Sequence, residues 1–275
     1  QIQNNAATLE TVTDAFTFHI GTSHTSYDSE LRACLNWISS HISRESSAEH
    51  IVLIVKMMAQ SGYRDEGILR RSLERFISLK AQNAYHVISI LSSLRKLEIH
   101  DLYDREECVA LIQGICEKLR ALSSLSGRLV ASVLTSLSVL VQTVGASHEI
   151  TAGIQPLFHG FADVLRKEAP AVDCITLSAI LVACGRLNLK KSNVFPVLFE
   201  RATCLDWAKY PKQTVHFILG AAEIDPTHDI LTYLLFSEHI ALAIRCILDN
   251  ASSYKNLYDA IRLVSRVPDM DLQMS

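Results

Sequence analysis

The sequence predicts an all-α protein built as an α-solenoid of about five to six degenerate two-helix repeats. Three observations carry this. Apolar residues recur at spacings of three and four throughout, which is the helical period. Only ten Gly and six Pro punctuate 275 residues. Similar Leu-rich segments return at intervals too short for whole domains and too long for heptads.

The repeat is read from apolar residues that recur three and six positions apart. "ISILSSLRKLEIHD", residues 88–101, supplies Leu91, Leu94 and Leu97. Comparable runs give Val55 and Met58; Leu134, Leu137 and Leu140; Leu181, Cys184 and Leu187; Leu219 and Ala222; and Ile261, Val264 and Val267. The anchors Val55, Leu91, Leu134, Leu181, Leu219 and Ile261 lie 36, 43, 47, 38 and 42 residues apart, a drifting period. After each of the first five anchors comes a second helical segment: "GILRRSLERFISL", "REECVALIQGICEKL", "IQPLFHGFADVLRK", "NVFPVLFERATCL" and "DILTYLLFSEHIALAIRCIL". In the second of these Val109, Ile112, Cys116 and Leu119 share a face, and Asp104 stands where an N-cap would. A pair of helices this short cannot cover its own apolar face, so neighbours must stack into one continuous core.

"ELRACLNWISSHI", residues 30–42, reads as the unpaired second helix of a leading half-repeat. The Thr/Ser-rich residues 1–27 read as an N-terminal arm or tail, and 28–275 as a single helical-repeat domain. Opening at Gln1 rather than Met is expected of a processed or trimmed chain.

Composition narrows the function. At 49% hydrophobic and 20% charged the chain can bury a sizeable core. A net charge of -3 argues against a broad basic surface for nucleic acid. Seven cysteines in mostly apolar runs read as buried thiols in a reducing compartment, and no cofactor is expected. The uncharged run from Leu129 to Ser147 approaches bilayer-spanning length, but its Ser, Thr and Gln residues favour a buried central helix and no membrane span.

Motifs for chemistry are sparse. A His-Asp metal site needs further ligands besides the adjacent His100 and Asp101. The matching repeat carries Lys190 and Lys191 there, so the pair reads as a capped turn. His50 and His86 start first helices without a metal-binding partner pattern, and Cys108 and Cys116 are too far apart to be close helical neighbours. Nucleophile-elbow and phosphate-loop signatures are missing, and no enzyme, metal site or small-molecule substrate is expected.

Charge is more informative. Residues 186–212 hold six cations against two acids, a balance of +4, whereas 213–275 hold four against eight, a balance of -4. Lys96, Arg186 and Arg266 share one repeat position, and Arg70, Arg71 and Arg75 crowd one helix. The expected contacts for RNA or an acidic partner are Arg70, Arg71, Lys96, Arg186, Lys190, Lys191, Trp207, Lys209, Tyr210 and Lys212. A solvated rim is the plainer reading of these cations. Likewise, Trp37, Trp207, Tyr63 and Tyr210 fit inter-helix packing better than base stacking.

"HVISILSSLRKLEI" pairs with "TLSAILVACGRLNL". This form, a Leu-rich helix with a basic residue and Leu before a polar turn, resembles the repeats of octotricopeptide, heptatricopeptide and FAST-kinase-like proteins. It also resembles helical-repeat subunits of kinetoplastid mitochondrial RNA-editing complexes. The resemblance is one of repeat style over residues 30–270, without a C-terminal nuclease-like domain, and HEAT or armadillo right-handed superhelices fit the repeat lengths equally well. It implies a non-enzymatic scaffold that meets other protein subunits in mitochondrial RNA processing, editing or translation, with a mitochondrial matrix location. The alternative it implies is direct binding of single-stranded RNA.

Overall fold

The computed structural model describes residues 47–80, 83–122, 125–145 and 148–235, together with Arg245. The arm, the leading half-helix, Trp37, Ile261 and Arg266 lie outside the described residues. Those described are all-helical, with no strand among them. The α-helices are α1 (Ala48–Ser61), α2 (Glu66–Ser78), α3 (Ala84–Leu97), α4 (Arg105–Arg120), α5 (Gly127–Val144), α6 (His148–Glu168), α7 (Cys174–Arg186), α8 (Phe195–Thr203), α9 (Pro211–Ile224) and α10 (Asp229–Leu235). Short 3-10 turns follow α3, α6 and α8.

The anchors fall on alternate helices, and the register around them is tighter than the drifting period suggests. Val55, Leu91, Leu134, Leu181 and Leu219 sit on α1, α3, α5, α7 and α9, and all are buried. Eight residues ahead of the first four stand Ser47, Asn83, Ser126 and Asp173. Each accepts a hydrogen bond on its side-chain oxygen from the backbone N–H three residues on, at 3.3, 2.9, 3.4 and 2.7 Å. These caps satisfy donors that a helix start leaves unpaired. Pro211 instead opens α9, where a missing N–H costs nothing.

The far ends match too. Seven residues after their anchors, Gly62, Glu98 and Asn188 are left-handed, with φ of 69, 51 and 54°. Such a residue turns the chain out of the helix and satisfies its last carbonyls. At the end of α7, Leu189 N–H donates to the Cys184 carbonyl at 2.9 Å and Asn188 N–H to that of Gly185 at 3.1 Å. In α5 the left-handed residue is Gly145, one turn later. The drift therefore lies elsewhere, mainly in second helices of 13, 16, 21 and 9 residues for α2, α4, α6 and α8.

The structure divides into two compact units, with α1–α4 in the first and the body of α5–α10 in the second. In the first, α1 packs on α3 and α2 on α4. The α2–α4 contact seats Ile77 over Gly114, where an added Cβ would meet the Ile77 side chain at 3.0 Å. In the second unit, α7 packs on α9 and α8 on α10. First helices thus lie on first helices and second on second. The α7–α9 approach is the closer, because a Cβ on Gly220 would stand 2.5 Å from Val182 N and 2.6 Å from the Leu181 carbonyl carbon. Close approach of two helix backbones requires a residue without a side chain.

α5 is long and apolar enough to cross a membrane, and just over half of it is buried within the fold.

Candidate partner-binding groove

Within the second unit the first helices leave one face uncovered. Along α7 the residues Ile175, Ala179, Val182 and Arg186 follow at intervals of four, three and four, so they form one stripe. Ser138 of α5 and Gln213 and His216 of α9 complete the walls of an open cavity of about 230 Å³. A second cavity of about 180 Å³, bordered by Gln142, Glu223 and Gly220, shares Val182, Arg186 and His216 with the first. The two therefore meet at Arg186 and form one groove, with small neutral residues on its floor.

Its ends differ. At one, Ile175 is 52% exposed. At the other, Arg186, a half-buried residue, has no hydrogen-bond or ion-pair partner among the described residues. Glu223 lines the second cavity beside it and is itself engaged.

The remaining residues expected from the sequence are dispersed. Arg70 is held by Glu66 at 2.9 Å and Glu107 at 2.5 Å, with its guanidinium 5.2 Å over the Tyr103 ring. Its hydrogen bond to Glu107 keeps that carboxyl below the usual range. Such a cation is neutralised within the protein and offers little to a phosphate. Arg71 is exposed and also engaged. Lys96 is exposed in the last turn of α3, matching Arg186 on α7. Lys190 and Lys191 are exposed after α7, and Lys212 in the first turn of α9. Lys209 pairs with Asp206 at 2.9 Å, a bond that raises its pKa.

The aromatic pair is split. Trp207 is 3% exposed, donates from Nε1 to the Ala202 carbonyl at 2.8 Å and packs 4.6 Å from the Phe217 ring. It has no free face for a base, which corrects its place among the expected contacts. Tyr210 is 39% exposed and precedes α9.

The His100–Asp101 pair forms the 3-10 turn after α3. Asp101 accepts from Arg64 Nη1 at 2.9 Å, and the other arm of that guanidinium reaches Glu98. Arg64, just past α1, thereby ties down the end of α3. Among the described residues no group of three or more His, Cys, Asp or Glu side chains could hold a metal ion.

Sequence reasoning singled out Arg186 but missed Ile175, Gln142 and His216. Position was the available signal: Ile175 and Tyr85, which is 62% exposed, both lie six residues ahead of their anchors. Scanned against protein-family models the chain matches none, and it matches no curated protein.

Proposed function

We propose that this chain is a non-enzymatic α-solenoid scaffold, a subunit that organises other proteins in a larger assembly. One observation carries the reading: first helices pack on first helices and second on second in both units, and α1, α3 and α7 share a side-chain N-cap and a left-handed exit. A repeat that stacks this way continues into a HEAT- or armadillo-like superhelix, and its uncovered first-helix face is an extended binding surface. The groove supports protein contact over catalysis, since among the described residues it gathers one cation, the Glu223 carboxylate and otherwise uncharged or His side chains rather than a nucleophile with its base. The style of the repeats supports a role for such a scaffold in mitochondrial RNA processing, editing or translation.

A second reading, direct binding of single-stranded RNA, is favoured by Lys190, Lys191 and Lys212, which are exposed. Filter binding of a labelled oligouridine at low and moderate salt separates the two. The scaffold reading expects no measurable affinity even at low salt. Salt-sensitive binding abolished by Lys190→Glu with Lys191→Glu would overturn it, because phosphate contacts release counterions.

A further inference from the structure

The geometry points to the α5–α7–α9 groove as a docking site for a peptide segment of a partner protein, one that carries a carboxylate for Arg186 and an apolar side chain for Ile175. This rests on the scaffold reading and adds to it the binding face and the chemistry of the partner.

Charge complementarity selects the occupant. A guanidinium has five N–H donors in a planar fork that matches a carboxylate, and removing it partly from water without a partner is costly. Arg186 is half-buried as a residue and has no partner among the described residues, so its fork is open to one. A carboxylate entering the groove would fill that fork. Nucleic acid fits less well. Following a phosphate backbone takes several cations and stacking a base takes an exposed aromatic ring, whereas among the described residues Arg186 is the one Lys or Arg lining either cavity and no Phe, Tyr or Trp does so.

The other end supplies the second anchor. Ile175 and Arg186 lie on one stripe of α7, about 16 Å apart at a rise of about 1.5 Å per residue. Ala179 and Val182 between them leave a shallow apolar floor. The docked segment therefore carries its acid and its aliphatic or aromatic residue about 16 Å apart, which is about eleven residues if helical or about five if extended. The exposed Ile175 would gain most from cover.

The test is selection of displayed random peptides, about 16 residues long, on the whole chain, followed by anisotropy of fluorescein-labelled winners. The expected winners hold Asp or Glu at a fixed distance from an apolar residue. Arg186→Glu should weaken them at least about tenfold, and selection on that variant should enrich Lys or Arg instead. Ala179→Trp, which fills the floor without touching the charge, should weaken the same peptides. Lys212→Glu, outside the groove, should not. Circular dichroism of each variant establishes that it folds.

Failure to select any peptide overturns the proposal. So do winners without acids, or winners that bind folded Arg186→Glu and Ala179→Trp as they bind wild type. In that last case the scaffold reading survives with its binding face elsewhere. If labelled oligouridine binds and Arg186→Glu abolishes it, the docking proposal and the scaffold reading fall together.

Discussion

Gly220→Ala should destabilise the protein even though alanine is the better helix former. The reason is the α7–α9 contact, where the new methyl group would stand 2.5 and 2.6 Å from main-chain atoms of Val182 and Leu181. Carbon contacts are comfortable at about 3.5–4.0 Å, so α9 must retreat by about 1 Å. Main chain cannot rotate aside as a side chain can. The overpacking cost therefore falls near the upper end of its usual range, about 3 kcal/mol. Replacing a helical glycine returns about 1 kcal/mol, leaving a net loss of about 2 kcal/mol. Gly160 in α6 is the control, since a Cβ there meets nothing within 4 Å. Gly160→Ala should gain about 0.5–1 kcal/mol. Urea unfolding followed by helical circular dichroism reads both, and with slopes of about 2–3 kcal/mol/M the Gly220 variant should lose about 0.7–1 M in midpoint. A Gly220→Ala midpoint at or above wild type, alongside a raised Gly160→Ala midpoint, would refute the close approach.

Further outcomes follow from single side chains. Asp173 caps α7, and the Thr176 backbone N–H, its strongest influence, lowers its carboxyl pKa. A lowered folded-state value means that its stabilisation is present above the ordinary carboxylate range and fades as pH falls through the depressed value. Asp173→Ala should cost about 1 kcal/mol near neutral pH and nothing below both values, and an equal loss at every pH would contradict the capping role. Trp207→Phe removes the bond to the Ala202 carbonyl and should cost about 1–2 kcal/mol in the same urea assay. In a Trp37→Phe background, Trp207 should also emit in the blue and resist iodide, whereas ready quenching would restore it as an exposed platform. Among the described cysteines, the exposed Cys204 should react with a thiol reagent in the native protein. Cys116, pushed up to about 12 by burial, and the fully buried Cys184 should react only on unfolding, and native-state labelling of either would contradict the core.

Much of the architecture was legible because helix-forming information is local. The anchors Val55, Leu91, Leu134, Leu181 and Leu219 are buried on alternate helices, as their spacing requires. Asp104 caps α4 as read, within a reciprocal box in which it accepts from Glu107 N–H at 2.8 Å. The turn at His100 and Asp101 was legible as well, from a comparison of two repeats. The groove was not, because its walls come from three helices whose faces are set by packing. Ser138 and Ile175 are far apart in sequence yet line one cavity, as do Gln142 and Arg186 in the next. Trp207 packs in the interior, as the plainer of its two readings expects, but its acceptor is a backbone carbonyl, which no residue identity announces. Lys209 shows a different loss. Its neighbour Asp206 was visible, but a net balance over 186–212 counts a paired cation as a free one.

The most direct test of the scaffold reading is purification of the tagged, full-length protein from its native source, with and without ribonuclease, and measurement of the mass and stoichiometry of what remains. The account predicts defined protein subunits at fixed ratios, unchanged by ribonuclease. A chain that elutes alone, or whose companions disappear once RNA is digested, would contradict it.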